Sequence, residues 1–207
     1  MSKTIVGDDG KARCRWCAAA PEFLPYHDTE WGFPVANDQR LFEKLALEGF
    51  QSGLSWRTIL AKRENFRAAF LNFDIDLVAR FGARDVKRML ADAGIVRHRG
   101  KIEAVINNAK RARELVEREG SLAAFIWRYE PDAKKLAKAH SLSKTAVSTS
   151  AESLALSKDL KKLGWAFVGP TTVYAFMQAM GLVNDHVEDC VIHRKVAKAR
   201  KSFKRPG

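Results

Sequence analysis

The sequence predicts an all-α protein, and three observations carry that prediction. Apolar residues recur with the 3.6-residue period of a helix, period-2 alternation hardly appears, and the periodic runs are bracketed by capping and stop residues. Asn37 or Asp38 can cap a first long helix with Leu41, Phe42 and Leu45 on its inward stripe, ending near Gly49 to Gly53. Ser55 can cap the next, which carries Trp56, Ile59, Leu60 and later Phe66 and Phe70 inward. A short helix around Asp85 to Ala91 stops at Gly94. A long one runs from about Gly100 to Gly120, with Ile102, Val105, Ile106, Ala109, Ala112 and Val116 on one stripe. Leu122 to Arg128 predicts another, and Pro131 to Ser148, polar and Lys-rich, reads as a loop or a solvated helix.

Thr149 and Glu152 have capping-box spacing ahead of Leu154, Leu156 and Leu160. A glycine-rich turn from Gly164 to Gly169 follows, then a helix with Pro170 at its first position and Gly181 as its stop. With 207 residues and no internal repeat, the chain is expected to form a single domain over 13–192. A flexible extension (1–12) is expected before it and a mobile basic tail (193–207) after it.

Composition narrows the function. The start has no apolar signal core and no run approaches membrane-spanning length, so a cytoplasmic protein without membrane contact is expected. Thirty-six basic against 24 acidic residues leave a net charge of +12, a field that attracts polyanions, nucleic acid above all. Some proteins are basic without binding anything, and part of this excess sits in the tail.

The hairpin offers a place for a phosphate. Bare backbone at Gly169, the free N–H groups of the following first turn and the hydroxyls of Thr171 and Thr172 form an anion site beside Lys161 and Lys162. Such a site would hold DNA without reading its sequence. The competing reading is an ordinary helical hairpin turn.

Glu48 is the oddly placed acid. It lies seven residues after Leu41 and three after Leu45, on the stripe that should face the core. Trp16, Tyr26, Trp31 and Trp56 cluster around it in sequence. A carboxylate among flat aromatic faces can grip a planar cationic ring by stacking, cation–π attraction and hydrogen bonding. Alternatively the aromatics are plain core and Glu48 pairs with a Lys or Arg.

Three cysteines point to metal before disulfides. Cys14 and His27 at one end, with His186 and Cys190 at the other, would make a closed four-ligand zinc site that clips the two termini together. Cys14 and Cys17 with His186 and Cys190 form an equally respectable set, His193 is a further candidate, and lone cysteines are often small buried hydrophobes. Spacing does not choose between Cys17 and His27.

Several long runs, in order, resemble the bacterial 3-methyladenine DNA glycosylase I family. They are Tyr26-His27-Asp28-Thr29-Glu30-Trp31-Gly32, Leu47-Glu48-Gly49-Phe50-Gln51-Ser52-Gly53-Leu54-Ser55-Trp56, Asp92 to Ile102, Phe167-Val168-Gly169-Pro170-Thr171-Thr172 and Gly181 to Val187. The resemblance spans roughly Arg13 to Cys190. It implies a helix-hairpin-helix glycosylase fold acting on double-stranded DNA, and one structural zinc ion held by Cys14, His27, His186 and Cys190, with Cys17 as a spare thiol. It implies that Glu48 reads a methylated adenine between Tyr26 and Trp56, that Trp16 and Trp31 line or wall the pocket, and that Leu54 wedges into the gap left by the extruded nucleotide.

Related helix-hairpin-helix glycosylases carry a catalytic Asp where this chain has Asn184, in Val183-Asn184-Asp185-His186. Bifunctional relatives also use a Lys in the second hairpin helix for strand cleavage, which is not matched here. The resemblance therefore implies monofunctional excision of 3-methyladenine in base-excision repair, by a monomer without lyase activity. The rivals are a zinc-stabilised DNA-binding module without catalysis, and an enzyme of the same fold with another lesion range.

Overall fold

The computed structural model describes residues 2–132 and 147–207, and over these the chain is helical with one small hairpin of strand. The centre is α2 (Asp38–Gln51), after a short α1 (Phe23–Thr29). Asn37 caps α2 by accepting the N–H of Arg40 at 2.9 Å. Every residue from Leu41 to Phe50 is buried, so this helix is enclosed on all sides rather than along one stripe. Glu43, Lys44 and Glu48 are therefore charges held inside the protein. The stretch expected as one helix after Ser55 divides at Lys62 into α3 (Trp56–Ala61) and α4 (Arg63–Ala69), keeping Phe66 and Phe70 fully buried.

Next come α5 (Ile75–Val78), α6 (Ala83–Ala91), the long α7 (Arg99–Glu119) and α8 (Leu122–Trp127). Gly120, at φ 86°, ends α7 as its position suggests. Asp38 supports α8 from outside its sequence: its carboxylate accepts the N–H groups of Leu122 and Ala123 at 3.0 and 2.8 Å. The polar stretch 131–148 lies almost wholly outside the described residues. The hairpin then consists of α9 (Ala151–Lys162) and α10 (Pro170–Ala179). The cap of α9 is one residue later than the capping-box pattern suggests. Ser150 accepts the N–H of Ser153 at 3.1 Å and Ser153 returns the bond at 2.8 Å, a reciprocal pair of hydroxyls in place of Thr149 and Glu152.

Two expectations for the termini are corrected. The segment 1–12, expected as a flexible extension, carries a strand: Thr4–Val6 and Ala12–Cys14 pair antiparallel, with Thr4 opposite Cys14 and Val6 opposite Ala12. The basic tail is likewise not free. A last helix, α11 (Val191–Ser202), runs straight through the boundary expected at 192 and buries Ile192 and Val196. Beyond it Phe203 packs on Trp127 with centroids 4.5 Å apart, and Arg200 and Arg205 both pair with Glu130. The i, i+4 apolar pair and the arginine–glutamate contacts anchor a segment whose composition alone looks solvated.

The turn after α10 contains a close backbone crossing. Gly181 sits at φ 77°, and a Cβ there would lie 2.5 Å from Phe33 C and Pro34 N. Gly181→Ala is expected to cost about 3 kcal/mol or more, from left-handed strain plus the clash. The corresponding fall in Tm is roughly 6–12 °C for a protein of this size, read by thermal denaturation; an unchanged Tm would mean the crossing is not built this way.

Candidate functional site

Two clusters of functional groups lie on either side of the Trp16–Tyr26 contact. The first forms where the termini meet. Cys14, His27 and Cys190 are buried, and their ligand atoms all lie within 4.8 Å of one another. Cys190 Sγ lies 3.6 Å from His27 Nε2. The histidine is aimed from behind: Asp28 takes Nδ1 at 2.7 Å and is itself held by Arg13 Nε at 2.9 and 3.1 Å. A carboxylate behind one ring nitrogen leaves the other as the ligand atom, a common arrangement around metal-binding histidines.

His186, expected as the fourth ligand, lies outside that three-residue group but next to His27. Its ring lies 4.8 Å from that of His27, Nδ1 is 3.0 Å from Asn184 Oδ1, and Nε2 is buried without a hydrogen-bond partner. A buried ring nitrogen with no hydrogen-bond partner, on a ring in contact with His27, is a donor that a metal could satisfy. Burial pushes the His186 imidazole down to about 3, so the ring is neutral and keeps a lone pair. Burial also holds the Cys14 thiol well above its ordinary value, which a bound cation would reverse. Gly32 makes room, since a Cβ there would lie 2.8 Å from His186 Cε1. Cys17 is buried but belongs to no metal-ligand group among the described residues.

The second cluster is built on α2. Glu48 is 5% exposed, and Tyr26, from α1, and Trp56, the first residue of α3, come together with centroids 5.4 Å apart at an interplanar angle of 44°. One turn before Glu48, Lys44 sends its ammonium to Glu48 Oε1 and to the Tyr26 hydroxyl, each at 2.8 Å. The same Nζ lies 3.4 Å from the Trp56 centroid. The alternative expectation that Glu48 pairs with a Lys or Arg is met by Lys44; the sequence reading does not name that residue, although its i, i+4 relation to Glu48 is the signal that identifies it. Burial lowers the Lys44 pKa, opposed by the Glu48 charge. Burial also raises Tyr26 well above its ordinary value, so its hydroxyl stays protonated.

A small cavity opens beside these groups, lined by Tyr26, Glu30, Lys44, Trp56, Arg63 and others. Arg63 grips Glu30 bidentately at 2.7 and 2.9 Å and stiffens the rim. Trp56 Nε1 is buried without a partner. Trp16 and Trp31 do not line this cavity. Trp16 stands edge-on between Tyr26 and His27, at 6.4 and 5.2 Å, and Trp31 lies 4.6 Å from His186. The two indoles thus contact the histidines of the Cys/His cluster, a placement their sequence neighbourhood does not reveal.

The two elements expected to contact DNA are both at the surface. Leu54 is 42% exposed in the turn after α2, where Gly53 adopts φ 77°. Lys101 secures that turn by donating to the carbonyls of Phe50 and Ser52, satisfying the end of α2. In the hairpin, Asn108 exchanges two 2.9 Å bonds with the Ala166 backbone, and Asn107 donates to Gly164 O at 2.8 Å. The N-terminus of α10 has no side-chain cap at Gly169 and leaves Thr171 exposed and Thr172 half-buried. Asn184 donates to His193 O at 3.2 Å as well as meeting His186.

Comparison with known proteins completes the picture. The methyladenine glycosylase family profile matches residues 16–194. The DNA-3-methyladenine glycosylase 1 of Escherichia coli (strain K12) is 48% identical over 178 residues, 86% of this chain and 95% of that protein. A crystal structure of 3-methyladenine DNA glycosylase I superposes with a TM-score of 0.76 at 45% identity, over 87% of this chain and 99% of that one. A Tyr-to-Phe variant of such an enzyme, solved in complex with 3-methyladenine, gives a TM-score of 0.75 at 36% identity, over 83% and 92%. No described helix is long and apolar enough to cross a membrane.

Proposed function

The chain belongs to the methyladenine glycosylase family and is a DNA glycosylase, and on that premise we propose that it hydrolyses the N-glycosidic bond of 3-methyladenine in alkylated duplex DNA, without strand cleavage. The observation that supports this most is Glu48: a buried carboxylate bonded to Lys44, whose side chain lines a cavity together with Tyr26 and Trp56. The Lys44–Glu48 pair would serve a purely structural role equally well, so it is the family membership that weighs against a DNA-binding module without catalysis.

Alkylation at N3 gives the adenine a positive charge, which weakens both its pairing and its bond to the sugar. A damaged base is the least costly to flip out of the helix. Glu48 receives the flipped ring and balances its charge, while Tyr26 and Trp56 offer aromatic faces and the Trp56 indole N–H a donor. As the bond breaks, the electron pair stays with the base, which leaves neutral. Water adds its oxygen to the sugar C1′ and releases a proton to solvent. Such a leaving group needs no protonation, consistent with Asn184 standing in place of an acid. Leu54 fills the gap in the stack, and Gly169, Thr171 and Thr172 hold a backbone phosphate at the start of α10.

Zinc is the metal suited to the donor set of Cys14, His27, His186 and Cys190: two thiolates and two imidazoles satisfy it with no open position. When bound, it would supply cohesion between the terminal segments rather than reactivity. The protein acts as a monomer in this reading. The deciding assay is chromatography of free bases released from N-methylated duplex DNA. Selective appearance of 3-methyladenine is expected; release of a broad alkylated set would redefine the lesion range, and no release from folded, metal-loaded protein would overturn the proposal.

A further inference from the structure

The cavity assigned to the base already holds a cation. Lys44 Nζ sits 2.8 Å from Glu48 Oε1, 2.8 Å from the Tyr26 hydroxyl, 3.4 Å from the Trp56 centroid and 5.0 Å from that of Tyr26. A carboxylate, a phenol and an indole face are the groups a flipped cationic base would use. Space leads to the same conclusion. A ring stacked between two others needs about 7 Å between them, two contacts of roughly 3.5 Å each, whereas the Tyr26 and Trp56 centroids are 5.4 Å apart. The cavity beside them has a volume of about 10 Å³, room for about one water. A purine does not fit while the ammonium stays.

We propose that Lys44 is a specificity-determining residue: a built-in cation that occupies the base slot and yields it to a ring bringing positive charge of its own. The inference rests on the base-pocket reading of Glu48, Tyr26 and Trp56. Burying an ammonium is costly, and here Glu48 and the Trp56 face offset the cost. Exchanging it for an N3-alkylated adenine leaves one positive charge against the same carboxylate and the same indole. Exchanging it for undamaged adenine leaves Glu48 buried against a neutral ring, so a normal base is rejected electrostatically rather than by shape. Once the glycosidic bond breaks, the product is neutral and the ammonium's return favours its release.

The test is titration of wild type, Lys44→Met and Lys44→Ala with free 3-methyladenine and free adenine at mildly alkaline pH, where both ligands are neutral, read by tryptophan fluorescence. Lys44→Met is expected to bind both bases about tenfold or more tightly than wild type, with adenine gaining at least as much as 3-methyladenine. In Lys44→Ala, n-propylammonium should refill the slot and compete with the base, an effect absent in wild type. Unchanged or weaker binding by the variants, with wild type still binding, would overturn the displacement idea and leave the pocket standing. No base binding by any folded form would overturn the pocket itself. Should the variants not fold, wild-type NMR decides: the Lys44 side-chain resonances, shifted by the Trp56 ring current, should move on saturation with 3-methyladenine, and their persistence would refute displacement.

Discussion

Glu48→Gln is expected to lower kcat/KM for 3-methyladenine excision by on the order of 10²-fold or more, with the fold and metal content preserved. Glutamine keeps nearly the same shape and an oxygen that can still accept from Lys44. What it removes is the charge, and a carboxylate fixed in a water-poor site is where a single electrostatic contact to a reacting cation is worth most. Ten- to hundredfold changes correspond to about 1.4 and 2.7 kcal/mol of lost transition-state stabilisation. Glu48→Ala should be as inactive and also less stable, because it strands the buried Lys44 ammonium. Breaking a buried pair by removing one partner typically costs about 3–5 kcal/mol. Single-turnover excision and thermal melting, run side by side on both variants, separate the two effects. Near-full excision by the Gln variant would remove Glu48 from the chemistry.

Metal loss should be the second large effect. Cys190→Ser is expected to abolish stoichiometric zinc and lower Tm by roughly 10 °C or more, the equivalent of a few kcal/mol in a protein of this size. The thiol belongs to a small apolar cluster with Cys14, Ile192 and Val196, separate from the main core. Its loss should therefore release the N-terminal hairpin and α11 while the central helices stay packed. Cys17→Ser is the control, expected to change neither quantity, since Cys17 is absent from the ligand group. Zinc determination with a chromophoric chelator and a melting curve give both readouts. A metal-free Cys190→Ser protein as stable as wild type would refute the structural clip.

The helical framework was legible because its signals are local. Capping by Asn37 and Ser55, the stop at Gly120, and Pro170 at the head of α10 each involve residues within one turn of one another. The all-α class and the placement of Glu48 on a core-facing stripe follow from period and composition. What escaped notice depends on distant residues. The grip of Glu130 on Arg200 and Arg205 turns a solvated-looking tail into a docked helix, across 70 and 75 residues of chain. The N-terminal hairpin is too short for alternation to register.

The same division runs through the site. Sequence alone determined the inventory: a buried acid, a set of aromatics, two Cys and two His with two further candidates, and a glycine hairpin between helices. The family motifs then attached roles to them. Only the tertiary structure decided how the inventory is shared out. It placed His27, not Cys17, with Cys14 and Cys190, and set Trp16 and Trp31 against His27 and His186 rather than on the cavity lining. It also put the Lys44 ammonium where the base reading needs a cation. The physical reason is that periodicity reports which face of a helix is buried, whereas a ligand set or an ion pair is decided by which buried faces meet.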